Sequence, residues 1–355
     1  MKVAIVTGAA GFLGRDIVDQ LLNRNIEVKA IVRPGRSRDK LSWKAHSLVE
    51  FIEIDLSLDT TFNILTEMLS FLDKDSTVLI HTVATYSNND DVHLKQTIEP
   101  TRQLFKAMAK SGTHRIVLVS SLSVYGYSSL PDYAQLDETS SSETYINFRD
   151  GYCRAKMEQE KIAILAAQVD GATVTIVRPG MIYSADNLWS TRLGFTKGSI
   201  GINIGNLAPL PLVSVEDCAN AIILAAIRAN FISDIYIPKD TTNRHIGALE
   251  YINIIGDEQP TQKEFLALLR VHNNFKRKNI VTIPWWLVKN ISKLLFLVGI
   301  LDKKIIATLP VIMIEPALHA RFKPLKYSNC RLKDRLNWKP TIDLISILKN
   351  SNKGS

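Results

Sequence analysis

Cysteine is scarce in this 355-residue chain, which has three. Cys153, Cys218 and Cys330 lie far apart and form no CxxC pair, so they suit neither a zinc site nor a disulfide framework. A reducing cytoplasm is the expected setting. The seven histidines form no HExxH or clustered spacing, which leaves a metal enzyme unsupported. Long apolar runs are missing too. Val3–Thr7 is too short for the core of a signal peptide, and no leader is expected there. The greasy stretch 283–301 is interrupted by Lys289 and Lys293 and followed by Asp302, which disfavours a transmembrane helix. Repeats and low-complexity tracts are absent. The net charge of +8 is dispersed, and clusters such as Lys276-Arg277-Lys278 lack interleaved aromatics. No nucleic-acid partner is expected; a solvated basic surface that also suits phosphorylated ligands is the preferred reading.

What is present is an alternation. Short β-branched segments at Val3–Thr7, Val28–Val32, Val49–Ile54, Val78–Thr82, Arg115–Ser120 and Val174–Arg178 alternate with helical periodicity, as in Gly14–Asn23, Pro100–Ser111 and Tyr152–Gln168. This pattern predicts βαβ units and a parallel sheet buried on both faces. The fold expected is α/β, a doubly wound parallel sheet with a smaller, mostly helical C-terminal substrate domain. Residues 1–180 are expected to form the larger, sheet-bearing domain, with 210–240 returning to it; 181–209 and 241–355 are expected to form the smaller domain. Asn187–Leu212, rich in Gly, Asn and Pro, reads as irregular.

The first strand runs into Thr7-Gly8-Ala9-Ala10-Gly11-Phe12-Leu13-Gly14 and then into a helix. Gly8 permits a tight turn, Gly11 lets backbone approach a phosphate, and Gly14 allows close helix–strand packing. The helix start offers free N–H groups and a positive dipole end to a pyrophosphate. A dinucleotide is therefore predicted, with contacts from Gly8, Ala10, Gly11, Phe12, Leu13 and Gly14. An acid about 20 residues onward would hold the 2′-hydroxyl of NAD. Arg33 stands there instead, followed by Arg36 and Arg38, which favours NADP over NAD. The alternatives for Arg33 are a solvated loop position or stacking on adenine.

TGAAGFLG, with its GxxGxxG spacing, resembles the extended short-chain dehydrogenase/reductase family, also called the NAD-dependent epimerase/dehydratase family. Further matches follow in order: Asp55-Leu56, His81-Thr82-Val83-Ala84, Ser120–Gly126 (SSLSVYG), Tyr152-Cys153-Arg154-Ala155-Lys156 as YxxxK with Glu160 beyond it, and Arg178–Tyr183 (RPGMIY). Pro211–Ala219 and Arg335–Pro340 resemble later landmarks, so the resemblance covers nearly the whole chain. It implies cofactor contacts from Asp55, Leu56, Thr82, Val83, Ala84, Pro179, Gly180 and Ile182, and from Tyr152 and Lys156. It also suggests a homodimer. Two positions depart from the pattern. Thr97-Ile98-Glu99-Pro100-Thr101 replaces NVxGT, which removes the Asn of a proton relay, and Ser184 replaces the glycine after RPGxVY.

Tyr152 and Lys156 are four apart on a predicted helix and share a face. A phenol is a poor acid–base catalyst near neutrality, and a neighbouring ammonium would draw its pKa toward the working range. Ser121 occupies the family's position for the hydroxyl that holds the substrate oxygen; Ser120 and Ser123 are neighbours that a sequence can confuse with it. Tyr125 and Tyr183 are expected as pocket walls, and His81 as a packed or hydrogen-bonded residue.

The predicted chemistry is hydride transfer between nicotinamide and a secondary alcohol or ketone of a hydrophobic small-molecule substrate. The alternatives are a nucleotide-sugar epimerase or dehydratase with recycled NAD, and a non-catalytic NADP-binding sensor. The missing NVxGT motif, Arg33 and the apolar C-terminal part favour the branch resembling 3β-hydroxysteroid dehydrogenase and dihydroflavonol reductase. The stretch 283–301 could line an apolar pocket or rest on a membrane surface; its preferred reading is the small domain's own core.

Overall fold

The structure is a computed structural model and describes residues 1–35, 41–87, 89–197, 200–228, 247–272, 279–301 and 311–350. Its frame is a seven-stranded parallel sheet. The strands are β1 (Val3–Thr7), β2 (Glu27–Val32), β3 (Val49–Glu53), β4 (Thr77–His81), β5 (Arg115–Val119), β6 (Thr173–Pro179) and, later in the chain, β11 (Leu249–Ile254). They lie in the order β11-β6-β5-β4-β1-β2-β3. The order reverses between β1 and β4, where open α/β sheets bind their ligands. Pairing sets Thr7 beside His81 at that point.

Apolar residues on both faces of the strands demand helices on both sides. On one face α1 (Phe12–Leu22) and α5 (Val215–Arg228) bury Ile17, Val18, Leu21, Ile222 and Ile223 against Val6, Val28 and Val78. On the other, α2 (Thr61–Ser70), α3 (Glu99–Ser111) and α4 (Gly151–Val169) pack Leu65, Leu104, Phe105 and Ala163 against Ile5, Leu79 and Leu118. A π-turn at Leu94–Ile98 leads into α3, whose first turn carries Pro100, the place where a missing N–H costs least.

The strand β11 corrects the boundary drawn from sequence, because it lies in the stretch assigned to the smaller domain and pairs with β6. Glu250 and Asn253 break its apolar pattern. Their partners are remote: Arg335 pairs with Glu250, and Tyr125 donates to Asn253. Local sequence cannot show either. The segment read as irregular also holds strands. After β7 (Met181–Tyr183) come β8 (Phe195–Lys197) and β9 (Ile200–Ile204), and β10 (Leu212–Ser214) pairs with β7. Alternating Ile200, Ile202 and Ile204 pair in parallel with β12 (Asn279–Ile283), so the period of two outweighs the glycines.

Later in the chain come the helices α6 (Gln262–His272), α7 (Trp285–Leu301), α8 (Glu315–Phe322), α9 (Cys330–Leu336) and α10 (Leu344–Asn350). The core reading of 283–301 holds for one face only. Ser292 and Phe296 are buried, but Trp286, Leu287, Ile291, Leu294 and Leu297 are exposed along one arc of α7. Among the described residues no helix is long and apolar enough to cross a membrane.

Candidate active site

A cleft of about 1130 Å³ opens at the C-terminal ends of the strands, across the reversal in strand order. It exceeds the ~300–1,000 Å³ of a single small-molecule pocket, leaving room for a dinucleotide beside a second ligand. Gly8, Ala10, Gly11, Phe12, Leu13 and Gly14 form one wall at the start of α1. Gly8 has φ +68°, and a Cβ there would stand 2.5 Å from Thr82 Oγ1. A Cβ on Gly14 would lie 2.1 Å from the Gly8 carbonyl oxygen. Both positions therefore require glycine. Gly11 caps α1 without a side-chain bond, so no side-chain acceptor takes the first-turn N–H groups. A tight turn, absent side chains and a bare helix start fit a pyrophosphate.

The other sequence-predicted positions line the same cleft. Arg33, Asp55 and Leu56 stand at one end; Thr82, Val83 and Ala84 form the floor; Pro179, Gly180 and Ile182 close the far side. Arg33 is exposed, whereas Arg36 and Arg38 lie outside the described residues. The Asp55 carboxylate accepts from Ser57 N at 3.0 Å and Ser57 Oγ at 2.7 Å. Those bonds, with a smaller contribution from the Arg33 charge, hold it below its usual pKa.

Tyr152 sits in the first turn of α4, which Asp150 caps by accepting from Cys153 N at 3.0 Å. Its ring stacks on Tyr86, with centroids 4.5 Å apart. Burial, then Tyr86, raises the phenol well above its usual pKa, while the hydrogen bond with Ser121 pulls the other way. The expected lowering by Lys156 is not found. The ammonium is 5.9 Å from the Tyr152 ring centre and points elsewhere. Lys156 Nζ donates to Val119 O at 2.7 Å and to Gln159 Oε1 at 3.0 Å. Burial pushes its pKa down to about 7, against a smaller upward pull from Glu160. Among the serines, Ser120 is committed to Glu160 Oε1 at 2.5 Å, leaving Ser121 as the one bonded to Tyr152.

Two pocket-wall expectations fail. Tyr125 is fully buried; its hydroxyl donates to Asn253 Oδ1 at 2.8 Å, and the Arg178 guanidinium lies 4.6 Å from its ring. Tyr183 is packed with Met181, Leu212 and Phe265. Each faces the interior beneath the cleft. His81 is buried and hydrogen-bonded at both ring nitrogens, to Thr7 Oγ1 and Thr101 Oγ1. The apolar stretch 283–301 contributes no described residue to the cleft lining.

Several cleft residues were not singled out from sequence. Besides Tyr86, they include Trp189, Arg192 and Arg321. Arg192 donates to the hydroxyls of Tyr327 at 3.3 Å and Tyr127 at 3.2 Å. Arg321 lies 3.8 Å from Asp150. Burial lowers the Arg321 pKa, with Asp150 opposing and the charges of Arg192 and Arg149 reinforcing. Only Tyr86, five residues past the His81 strand end, carried a local clue. Among the described residues no group of three His, Cys, Asp or Glu side chains could hold a metal ion.

Comparison with known proteins gives concordant results. The model of the NAD dependent epimerase/dehydratase family matches residues 4–236. Cinnamoyl-CoA reductase 1 of Oryza sativa subsp. japonica is 32% identical over 189 residues, covering 51% of this chain and 53% of that protein. A dTDP-4-dehydro-6-deoxy-D-allose reductase of Streptomyces sp is 25% identical over 189 residues, covering 51% and 56%. The chain thus spans about half the length of the curated relatives it matches. DesIV, a dTDP-glucose 4,6-dehydratase from Streptomyces venezuelae solved with NAD and TYD bound, superposes with TM-score 0.68 at 17% identity. That match covers 99% of this chain and 96% of DesIV, and shows the fold.

Proposed function

This chain belongs to the NAD dependent epimerase/dehydratase family, and from that premise we propose that it is an oxidoreductase moving hydride between a nicotinamide and a secondary alcohol or ketone. The observation that carries the reading is the meeting of Ser121, Tyr152 and Lys156 with the glycine loop in one cleft. The nicotinamide, when bound, supplies or accepts the hydride. The chain's own residues handle the rest. Ser121 holds the substrate oxygen, Tyr152 gives it a proton in reduction and takes one in oxidation, and Lys156 would hold the nicotinamide ribose through the N–H left after its bonds to Val119 and Gln159. Arg33 at the cleft rim supports NADP(H) over NAD(H), since a guanidinium suits a 2′-phosphate.

Tyr86 and Trp189 line the substrate side and support an apolar substrate. Arg192 and Arg321 support a second reading, an anionic substrate such as a nucleotide sugar handled by an epimerase or dehydratase that recycles NAD. A screen that follows absorbance at the NADPH band, with hydrophobic ketones beside nucleotide sugars, separates the two. A non-exchanging bound NAD would favour the second. In either case Tyr152→Phe should lower turnover by ~10²–10⁴. Unchanged turnover with every accepted substrate would refute the catalytic assignment of Tyr152, whereas dinucleotide binding without turnover of any substrate by the wild type would favour the sensor reading.

The exposed face of α7 supports a peripheral contact with an anionic membrane surface. From Lys276 to Leu301 the sequence has five basic residues and no acid, so charge and apolar surface favour the same partner.

A further inference from the structure

We propose that Gln159 is the positioning residue that aims the Lys156 ammonium into the cleft, working through a buried hydrogen-bond relay anchored at the cofactor floor and the glycine loop. This rests on the reading of Lys156 as a cleft residue that meets the dinucleotide.

The donor count defines the geometry. An ammonium has three N–H groups. Lys156 commits one to Val119 O at 2.7 Å and one to Gln159 Oε1 at 3.0 Å, so one remains for the cleft that Lys156 lines. Gln159 has no exposed surface. Its Nε2 donates to Thr101 Oγ1 at 2.7 Å and to Val83 O at 3.1 Å. The amide cannot be reversed, because a flip would set Nε2 against the ammonium and Oε1 against the Val83 carbonyl oxygen.

The relay continues with each donor assigned. Thr101 Oγ1 donates to Thr97 O at 2.7 Å, so toward Gln159 and His81 it acts as acceptor. His81 Nε2 then donates to Thr101 at 2.9 Å, and His81 Nδ1 accepts from Thr7 Oγ1 at 2.7 Å. The 3.3 Å approach of Gln159 Nε2 to His81 Nε2 is two donors converging on one oxygen. Thr7 immediately precedes Gly8, and Thr82 Oγ1 donates to Thr7 O at 2.7 Å. Lys156 is thereby tied to the end of β1, where the glycine turn begins, and to the floor residues Thr82 and Val83. Two of the relay's threonines, Thr97 and Thr101, stand in the segment that departs from NVxGT.

A structural glutamine alone would not need this arrangement. The obvious partner for Lys156 is Glu160, one turn on, yet Arg178 binds both Glu160 oxygens at 2.9 and 2.6 Å. A neutral amide is left to hold the ammonium, which fixes its direction without cancelling its charge.

The test is fluorescence titration of NADPH and NADH between pH 5.5 and 9.5 on wild type, Gln159→Leu, Gln159→Glu and Thr101→Val. Log Kd should bend where Lys156 titrates. A carboxylate at 159 should move the bend up by about one pH unit or more, since an opposite charge within ~4–6 Å favours the ammonium. Leucine removes an acceptor and should move it down, and Thr101→Val, which frees the Gln159 amide, should move it down by less. Should Gln159→Glu fail to fold, the two downward shifts still decide the matter. A bend that stays at the wild-type pH in the variants, or moves the same way for Leu and Glu, overturns the role of Gln159. If wild type binds neither dinucleotide, the functional reading falls and takes this inference with it.

Discussion

Replacing Lys156 by Met probes the electrostatics of the cleft through folding rather than turnover. The side chain is 2% exposed. Burial lowers its pKa from the ordinary 10.5 to about 7. The folded state therefore penalises the protonated form. Below about pH 7 the folded and unfolded chains both hold the proton, and the penalty is complete. Between about 7 and 10.5 only the unfolded chain binds it, so wild-type stability rises by about 1.4 kcal/mol per pH unit from this group. The gap between those values corresponds to a ceiling of about 5 kcal/mol. Met keeps the reach of the lysine stem and has nothing to titrate. It also leaves Val119 O and Gln159 Oε1 without a donor, which costs about 1–3 kcal/mol each at every pH. The pH-independent loss and the pH-dependent relief separate cleanly. Urea unfolding of both proteins without added dinucleotide, at intervals from pH 6 to 9.5, gives the difference at each pH. It should shift by about 3 kcal/mol in favour of wild type between pH 7 and 9.5. A difference that is flat with pH, or moves toward the variant, would refute the buried-ammonium argument.

Two further outcomes are expected. Arg33→Glu should weaken NADPH binding by about 10–100-fold while leaving NADH binding within a few-fold, as loss of a charge-assisted bond to a 2′-phosphate predicts. Titration of both dinucleotides checks this, and an unchanged NADPH-to-NADH ratio removes the case for NADP(H). On α7, Trp286→Ser with Leu294→Ser should reduce co-sedimentation with vesicles containing anionic phospholipid several-fold. Their melting temperature should barely move, because these side chains are 65% and 63% exposed. Equal co-sedimentation of variant and wild type, or equal binding of wild type to neutral vesicles, would count against the membrane contact.

The fold was legible wherever one segment carries its own signal. Each of the six strands read from sequence forms within a residue or so of its expected ends: the inner parallel strands carry near-continuous apolar runs buried on both faces, and the edge strand β3 is mixed instead, with Glu50 and Glu53 exposed. The strand β11 escaped because Glu250 and Asn253 interrupt it, and what satisfies them comes from Arg335 and Tyr125. The site divides in the same way. The glycine loop and YxxxK are contiguous in sequence, and their residues do line one cleft. Arg192 and Arg321 reach it from distant segments with no motif around them. Gln159 looks like an ordinary helix residue until tertiary contacts show it in the same buried layer as His81 and Thr101.

The treatment of two cations explains why that layer is built as it is. Arg178 lies beneath the cleft and Lys156 lines it, and Glu160 is a carboxylate one turn from Lys156 that Arg178 also reaches. It goes to Arg178, which donates two bonds to it and lies between the rings of Tyr125 and Tyr251 at 4.6 and 4.5 Å. Burial opposes the Arg178 charge, but those bonds more than offset it and push its pKa upward. Arg178 thus joins β6 to α4 as a fixed ion pair, and removing either partner would strand a buried charge at a cost of about 3–5 kcal/mol. Lys156 receives only carbonyl and amide oxygens and keeps an uncancelled charge with a pKa of about 7. Reversing the allocation would leave α4 less firmly bound to the sheet and the cleft with a neutralised lysine. On this argument the short chain from Glu160 to Ser120 belongs to the scaffold, the chain from Gln159 to Thr7 belongs to the site, and the two meet on one turn of α4.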